Sequence, residues 1–217
     1  MTTHYHDILD PNRLHIFQHL RELSGSWVLA GGTGLAMQIG HRKSYDFDLF
    51  SKDPISESAY RSMSTVFNEQ PTKLVDSHDQ LTVSLSSGVE ITCLYYWYTP
   101  LFPLIQTESV PLFDFRDIAA DKARTLRRRN MWRDYVDIYT LLAQKRITLE
   151  ELLDVSQRKF GNEFSKKLFL EQLCYTKDIH DQAIEWILQP TDTSSITEFF
   201  NQEVTRYLHT TILPKEA

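Results

Sequence analysis

The chain has 217 residues, of which 41% are hydrophobic and 24% are charged. That length suggests one large domain or two small ones, and the apolar fraction is sufficient for a folded core, which argues against intrinsic disorder. Its 23 basic and 29 acidic residues give a net charge of −6, which argues against non-specific coating of nucleic acid.

The first part of the chain alternates between helical and strand patterns. Apolar residues at three-residue spacing predict an amphipathic helix over 12–23, and a helix over 35–39 should end at Gly40, because glycine commonly terminates helices. A further helix is predicted over 57–67. The predicted strands are 27–30, 46–50, 73–76, 81–86 and 89–98, the last two joined by a hairpin turn at 86–88.

From residue 113 onward the pattern is helical. Asp114 is the predicted N-cap of a helix that runs to Arg129. Further helices are predicted over 133–143, 149–160, 164–175, 182–188 and 196–211. We therefore predict a mixed α/β domain over 1–112 and an all-helical half over 113–217.

Targeting and cross-linking signals are lacking in this sequence. Its beginning has neither the basic nor the apolar region of a secretory signal, and its apolar runs fall short of the roughly 18 residues that span a membrane. Cys93 and Cys174 are too few for a disulfide scaffold or a structural zinc site. We expect a soluble cytoplasmic protein that has no membrane partner.

The strongest chemical signal is the block over residues 29–51. Gly31-Gly32-Thr33 follows a strand, and glycines let a backbone approach a ligand while the N–H groups of a helix start bind phosphate. Asp46 and Asp48 lie two residues apart on a strand, so both carboxylates share one face while Phe47 enters the core. Mg²⁺ bound by carboxylates and substrate phosphates would relieve their repulsion. The alternatives are an ordinary turn and a solvated strand face.

A second signal is a basic helix between 117 and 133. At about 100° per residue, Lys122, Arg129 and Arg133 lie within about 40° of one another if the helix is continuous. Cations on a stripe shared with apolar residues need an anion, which is either a triphosphate or a structural ion-pair partner, Asp134 or Asp137. By the same phase, three arginines should form an ordinary solvated face: Arg124, Arg127 and Arg128.

Two blocks of the sequence, GGTGLAMQIGHRKSYDFDLFS (31–51) and DIAADKARTLRRRNMWRDYVDIYTLL (117–142), carry a family resemblance. The first resembles the opening motif of the AbiEii/AbiGii-type nucleotidyltransferase toxins, a branch of the polymerase-beta-like superfamily. The second is similar to that family's later signature. The resemblance covers roughly residues 25–145. It implies a small mixed sheet with flanking helices, followed by helices.

The resemblance also implies an activity and a set of site residues. The reaction would move a nucleoside monophosphate from an NTP to a hydroxyl of a tRNA 3′ end or a protein side chain, with Mg²⁺, in two ions, as cofactor. The chain would be the toxin of a toxin–antitoxin or phage-defence pair, with a cognate antitoxin as partner. Asp46 and Asp48 would bind metal. The implied nucleotide ligands are Gly31, Gly32, Thr33, Arg42, Ser44, Lys122, Arg129 and Arg133, with Asp134 and Asp137 supporting them. For Arg42 and Ser44, capping or hydrogen bonding within the loop is the alternative.

The family's third acid has no obvious equivalent. Members usually carry it on a later strand, where Thr92 stands in this sequence. Glu90 lies two residues earlier, on the same side of the strand, and could act as the base in its place. The sequence therefore also allows a degenerate, non-catalytic member that binds a nucleotide or a partner, or a small-molecule nucleotidyltransferase of the antibiotic-modifying kind.

The aromatic run at 95–98 has two interpretations. Tyr95, Tyr96, Trp97 and Tyr98 follow directly from a predicted strand. Packing in the core and against the sheet is the default for such a run, and stacking on a nucleobase is the alternative.

Overall fold

The computed structural model describes residues 5–176, 179 and 183–211. The chain divides into two compact units, Met1–Ile118 and Ala119–Ala217. The boundary lies inside a helix, a few residues after the sequence-based division at 112. In the part of the chain that is described, no helix is both long enough and apolar enough to cross a membrane.

The first unit combines helices with one five-stranded sheet. Its helices are α1 (Tyr5–Ile8), α2 (Pro11–His19), a 3₁₀ turn (Leu20–Leu23), α3 (Gly31–Ile39), α4 (Glu57–Phe67) and the start of α5 (Phe115–Arg129). Its strands are β1 (Val28–Leu29), β2 (Phe47–Ser51), β3 (Thr72–Asp76), β4 (Gln80–Ser84) and β5 (Glu90–Tyr95). The mixed α/β architecture predicted from the sequence is confirmed.

The sheet has the order β1-β2-β5-β4-β3. Only β2 and β5 run parallel among the paired strands; β1 with β2, β4 with β5 and β3 with β4 are antiparallel. The two faces differ because side chains alternate along each strand. Phe47 and Leu49 of β2 and Ile91 of β5 are fully buried in the main core, together with Phe17 of α2 and Met63 of α4. The opposite face of the two strands is half-buried.

The regular elements described in the second unit are helices. After α5 come α6 (Trp132–Ala143), α7 (Leu149–Phe160), a 3₁₀ turn (Gly161–Glu163), α8 (Lys166–Cys174) and α9 (Thr193–Thr211). Local signals set several ends. Thr148 and Glu151 form a reciprocal capping box at the start of α7. At the start of α5, the carboxylate of Asp114 accepts a hydrogen bond from the Arg116 amide at 2.9 Å, so the predicted cap is confirmed.

Several predicted elements differ from the structure. The strand predicted over 89–98 ends at Tyr95, and the helix predicted over 12–23 is α-helical only to His19. The helix predicted over 35–39 begins at Gly31, so the Gly-Gly-Thr segment is its first turn rather than a loop before it; it ends as predicted, with Gly40 at φ 64°. The helix predicted over 182–188 is wrong where it can be described: residue 182 lies outside the described residues, and 183–188 form no helix. Ile187 and Leu188 are exposed, and a short helix without a packed apolar face is unstable.

Candidate active site

The acidic face of the sheet is built by the neighbouring strands β2 and β5. Asp48 lies opposite Thr92 in their parallel pairing. Asp46 directly precedes β2 and Glu90 begins β5, and the period of two puts them on the same face as Asp48 and Thr92. All four residues are half-buried. The fold therefore brings together the predicted metal-binding pair and both candidates for the third position.

A further hydroxyl, which sequence reasoning missed, belongs to this face. Thr82 of β4 lies opposite Thr92, and the two side-chain oxygens are 3.1 Å apart. Thr82 is buried. The signal was present in the sequence, because residues equidistant from a hairpin turn face each other. The hydroxyl of Thr92 thus has a hydrogen-bond partner, Thr82, on the neighbouring strand β4.

Gly31 lets the start of α3 lie directly against Asp48. Its φ is +59°, and a Cβ added there would lie 2.0 Å from the Oδ2 atom of Asp48. The Ala30 amide also donates a hydrogen bond to the Asp48 carbonyl at 3.0 Å. The positive end of a helix stabilises a nearby carboxylate. A glycine is therefore required at this position for both its conformation and its missing side chain.

The residues before β2 fasten the first turn of α3. Thr33 is 1% exposed, and its hydroxyl is hydrogen-bonded to the hydroxyl of Ser44 at 2.8 Å and to the Asp46 carbonyl. A Cβ on Gly32 would lie 2.8 Å from a terminal nitrogen of Arg42, which is 4% exposed. Thr33, Arg42 and Ser44 thus pack around the glycine turn. Their predicted role as nucleotide ligands stays a prediction.

The donor set fits Mg²⁺ that takes its remaining ligands from a substrate. Among the described residues, no group of three or more His, Cys, Asp or Glu side chains is placed to hold a metal. Two carboxylates, Asp46 and Asp48, share the half-buried face. Mg²⁺ is commonly held by one or two carboxylates together with substrate phosphates and water, rather than by an all-protein cage.

A buried ion-pair cluster links α5 and α6 in the second unit. The Nζ atom of Lys122 lies 2.7 Å from Oδ1 of Asp134 and 2.6 Å from Oδ2 of Asp137. Arg129 also binds Asp134, through Nε at 2.8 Å and a terminal nitrogen at 3.1 Å. Both aspartates are fully buried and Lys122 is 3% exposed. The structural ion pairs, one of the two interpretations that the sequence left open, are therefore present. Triphosphate binding by the same cations stays a prediction.

The electrostatics of the cluster are set by competing effects at Asp134. Burial raises the pKa of its carboxyl, but the charges of Lys122 and Arg129 and the hydrogen bond from Arg129 outweigh this, so the net pKa is lowered. The carboxylate is therefore charged in the folded state. Two cations and two carboxylates make the cluster formally neutral.

The basic segment differs in part from the single stripe that the sequence predicts. Asn130, at φ 39°, separates α5 from α6, so Arg133 lies on a different helix from Lys122 and Arg129. Arg124 does not belong to a solvated face, because its side chain is only 14% exposed and pairs with Glu163 at 3.2 Å. Arg128 is exposed, as predicted. The side chain of Arg127 lies outside the described residues.

Comparison with known proteins places the chain among nucleotidyltransferases. A family model described as "Nucleotidyl transferase AbiEii toxin, Type IV TA system" matches residues 16–203. An uncharacterized protein of Aquifex aeolicus strain VF5 is 29% identical, over 86% of this chain and 90% of that protein.

Solved structures show the same fold. MenT4, a nucleotidyltransferase toxin of Mycobacterium tuberculosis H37Rv, has a TM-score of 0.58 at 15% identity, over 86% of this chain and 80% of that one. A candidate nucleotidyltransferase of Helicobacter pylori has a TM-score of 0.55 at 14% identity, over 91% of this chain and 95% of that one. The fold class expected from the sequence, a nucleotidyltransferase core, is confirmed.

Proposed function

Because the chain belongs to the AbiEii family of nucleotidyltransferase toxins, we propose that it transfers a nucleoside monophosphate from an NTP to a hydroxyl acceptor and releases pyrophosphate. The observation that supports this most is the position of Asp46 and Asp48. They share a half-buried sheet face, with the glycine-led start of α3 against Asp48. A carboxylate pair beside a helix N-terminus suits a metal-bound phosphate.

Residues of the first unit have distinct roles in this proposal. Asp46 and Asp48 hold Mg²⁺, which when bound would neutralise phosphate charge and favour in-line displacement. The amides at the start of α3 face the triphosphate. The acceptor oxygen attacks the α-phosphorus of the NTP. The bond between the α-phosphorus and the bridging oxygen breaks, and that oxygen leaves with pyrophosphate. Glu90 takes the acceptor's proton, because Thr92 opposite Asp48 has no basic group at neutral pH.

The acceptor and the partner are proposed at the level of chemical class. We propose a hydroxyl on an RNA 3′ end or on a protein side chain, with an antitoxin that controls the activity, since the family is described as part of a type IV toxin–antitoxin system. The test uses each NTP labelled at the α-phosphorus, with Mg²⁺ and, as acceptor, total RNA, cell protein or a small hydroxylated antibiotic. Label in the RNA or protein fraction supports the proposal, and transfer only to a small hydroxylated antibiotic would replace it with the antibiotic-modifying alternative.

One observation favours a non-catalytic member of the family as the second candidate. The third-acid position is Thr92, whose hydroxyl is paired with that of Thr82. A degenerate member would bind an NTP with Mg²⁺ by calorimetry and yet transfer no label to any acceptor. The labelling experiment therefore separates the two candidates.

Substitutions on β5 test the base. Glu90→Gln should lower kcat by about 100-fold or more and leave NTP affinity nearly unchanged, since general-base catalysis contributes about 10²–10⁴-fold. Thr92→Ala should have little effect on kcat, and Thr92→Asp should raise it if the chain is a weakened enzyme. Rates and affinities are measured on the same preparations. If Thr92→Ala is the damaging change and Glu90→Gln is not, Glu90 is not the base.

A further inference from the structure

A cavity of about 590 Å³ opens in the first unit, around the end of β2. Its volume is within the range of small-molecule sites, roughly 300–1,000 Å³. Most of its large side chains are aromatic. They are Trp27, Phe50, Tyr96, Tyr98, Phe102 and Phe113.

The cavity continues the acidic face along the same strand. Phe50 follows Asp48 by two residues on β2, so both side chains point to the same side of the sheet. At about 3.3 Å per residue, the two positions are about 7 Å apart. Val28 of β1, the register partner of Phe50, also lines the cavity. A ligand whose phosphate lies at Asp48 is therefore close enough to these rings to reach them.

The aromatic walls are held in place by contacts between the rings and by a buried carboxylate that binds the backbone of Phe102. The rings of Phe50 and Tyr96 lie edge to face, with centroids 5.0 Å apart, and Phe113 is within 5.7 Å of Phe50. The buried carboxylate of Asp117 accepts a hydrogen bond from the Phe102 amide at 3.0 Å. Fixed aromatic surfaces of this kind are suited to a planar ring, since every nucleobase has a face that can stack.

The rim of the cavity is polar. Ser51, Lys52 and Asp53 line it directly after Phe50, and the Asp53 amide donates a hydrogen bond to the Ser51 hydroxyl at 3.1 Å. Lys52 and Asp53 are exposed. They supply a donor and an acceptor for the edge of a ring whose faces meet the aromatic walls.

We propose that this cavity is the subsite for the nucleobase of the NTP. The inference rests on the proposed nucleotidyl transfer, because the triphosphate at Asp46 and Asp48 fixes where the rest of the nucleotide extends. Only part of the aromatic run at 95–98 then serves the nucleobase. Tyr96 and Tyr98 form the subsite, whereas Trp97 is 56% exposed and does not line it.

The test compares ligands with and without a base. Calorimetry in Mg²⁺ measures the affinity of each NTP and of inorganic tripolyphosphate for the parent protein, for Tyr98→Leu and Phe50→Leu, and for the control Trp97→Leu. Thermal unfolding of each variant checks that it is folded. If Phe50→Leu does not fold, the half-buried Tyr98 position provides the answer by itself.

The expected result is a selective loss. Tyr98→Leu and Phe50→Leu should weaken NTP binding about tenfold, as expected for a lost stacking partner, and change tripolyphosphate binding less than twofold. Trp97→Leu should change neither. Equal losses for both ligands, or unchanged NTP affinity, would overturn the inference; the latter together with a loss of RNA acceptor turnover would assign the cavity to the acceptor. A parent protein that binds neither ligand would contradict the proposed function itself, and this inference with it.

Discussion

Among single residues, Gly31 sets the distance between the start of α3 and β2, the strand that carries Asp48. Gly31→Ala would place a methyl group 2.0 Å from the Asp48 carboxylate and also strain a backbone at φ +59°. We expect a loss of stability of about 2 kcal/mol or more, with loss of nucleotidyl transfer, because positive φ alone costs about 1 kcal/mol for a residue with a Cβ. Urea unfolding and label transfer measure the two effects.

The matched control for this prediction is Gly88→Ala. Gly88 also has a positive φ, of +80°, but a Cβ there would meet nothing within 4 Å. This variant should lose only the smaller, conformational part of the stability and should keep its transfer activity. Equal losses in stability and activity at both positions would show that contact with Asp48 is not what Gly31 is needed for.

Much of the acidic strand could be predicted from the sequence residue by residue. The period of two placed Phe47 and Leu49 in the core and Asp48 on the other face, and both apolar residues are indeed fully buried. The burial of Thr33 and Arg42 around the glycine turn could not be predicted in this way. It depends on contacts between the start of α3 and the segment before β2, which a local pattern does not encode.

At the scale of elements, the break between α5 and α6 decides which cations can act together. Arg129 is 48% exposed at its side chain yet binds the buried Asp134, whereas Arg128 is exposed beside it. If Arg129 also binds triphosphate, Arg129→Ala should weaken NTP binding about tenfold, since hydrogen bonds to charged groups contribute about 1.5–3 kcal/mol. Arg128→Ala, its neighbour and control, should change NTP affinity little. Calorimetry on both variants tests this.

The opposite outcome for these two arginines is equally specific. A purely structural ion pair predicts that Arg129→Ala lowers the midpoint of urea unfolding and leaves NTP affinity as it is in Arg128→Ala. Arg133 is separated from Lys122 and Arg129 because Asn130 takes a positive φ and ends α5. Asparagine is among the few residues other than glycine that adopt this conformation readily. The helices predicted from the sequence, one to Arg129 and the next over 133–143, left room for a break here, but the helical period alone did not fix it.

For the protein as a whole, the buried ion-pair cluster makes the free energy of unfolding depend on pH in the acid range. The pKa of Asp134 is lowered on folding from its ordinary value of 3.8. Its contribution is therefore complete above about pH 4 and is lost as the pH falls through the lowered, folded-state pKa. Asp134→Asn should reduce the free energy of unfolding by about 3–5 kcal/mol at pH 7, because the buried Lys122 keeps only one of its two carboxylate partners and the cluster gains an excess positive charge.

Urea unfolding at pH 7, 4 and 3 checks this dependence. The difference between the parent protein and Asp134→Asn should shrink below about pH 4, because the unfolded parent chain then binds a proton at Asp134 that the folded carboxylate does not bind. Asp154→Asn removes an exposed partner of Arg158 on α7 and should cost less than about 1 kcal/mol at pH 7. A difference between the parent and Asp134→Asn that is the same at all three pH values would contradict the assignment of stability to the charge of Asp134.

The proposed metal site at Asp46 and Asp48 is tested most directly by the effect of Mg²⁺ on thermal unfolding. A ligand that binds only the folded state raises the melting temperature. Mg²⁺ with NTP should therefore raise that of the parent protein and of Asp76→Asn, a control at the exposed end of β3. Mg²⁺ with NTP should not raise the melting temperature of Asp48→Asn. This variant should stay folded, because the substitution relieves repulsion between two carboxylates. An equal rise in all three proteins would show that the metal binds elsewhere and that Asp46 and Asp48 are not the metal site.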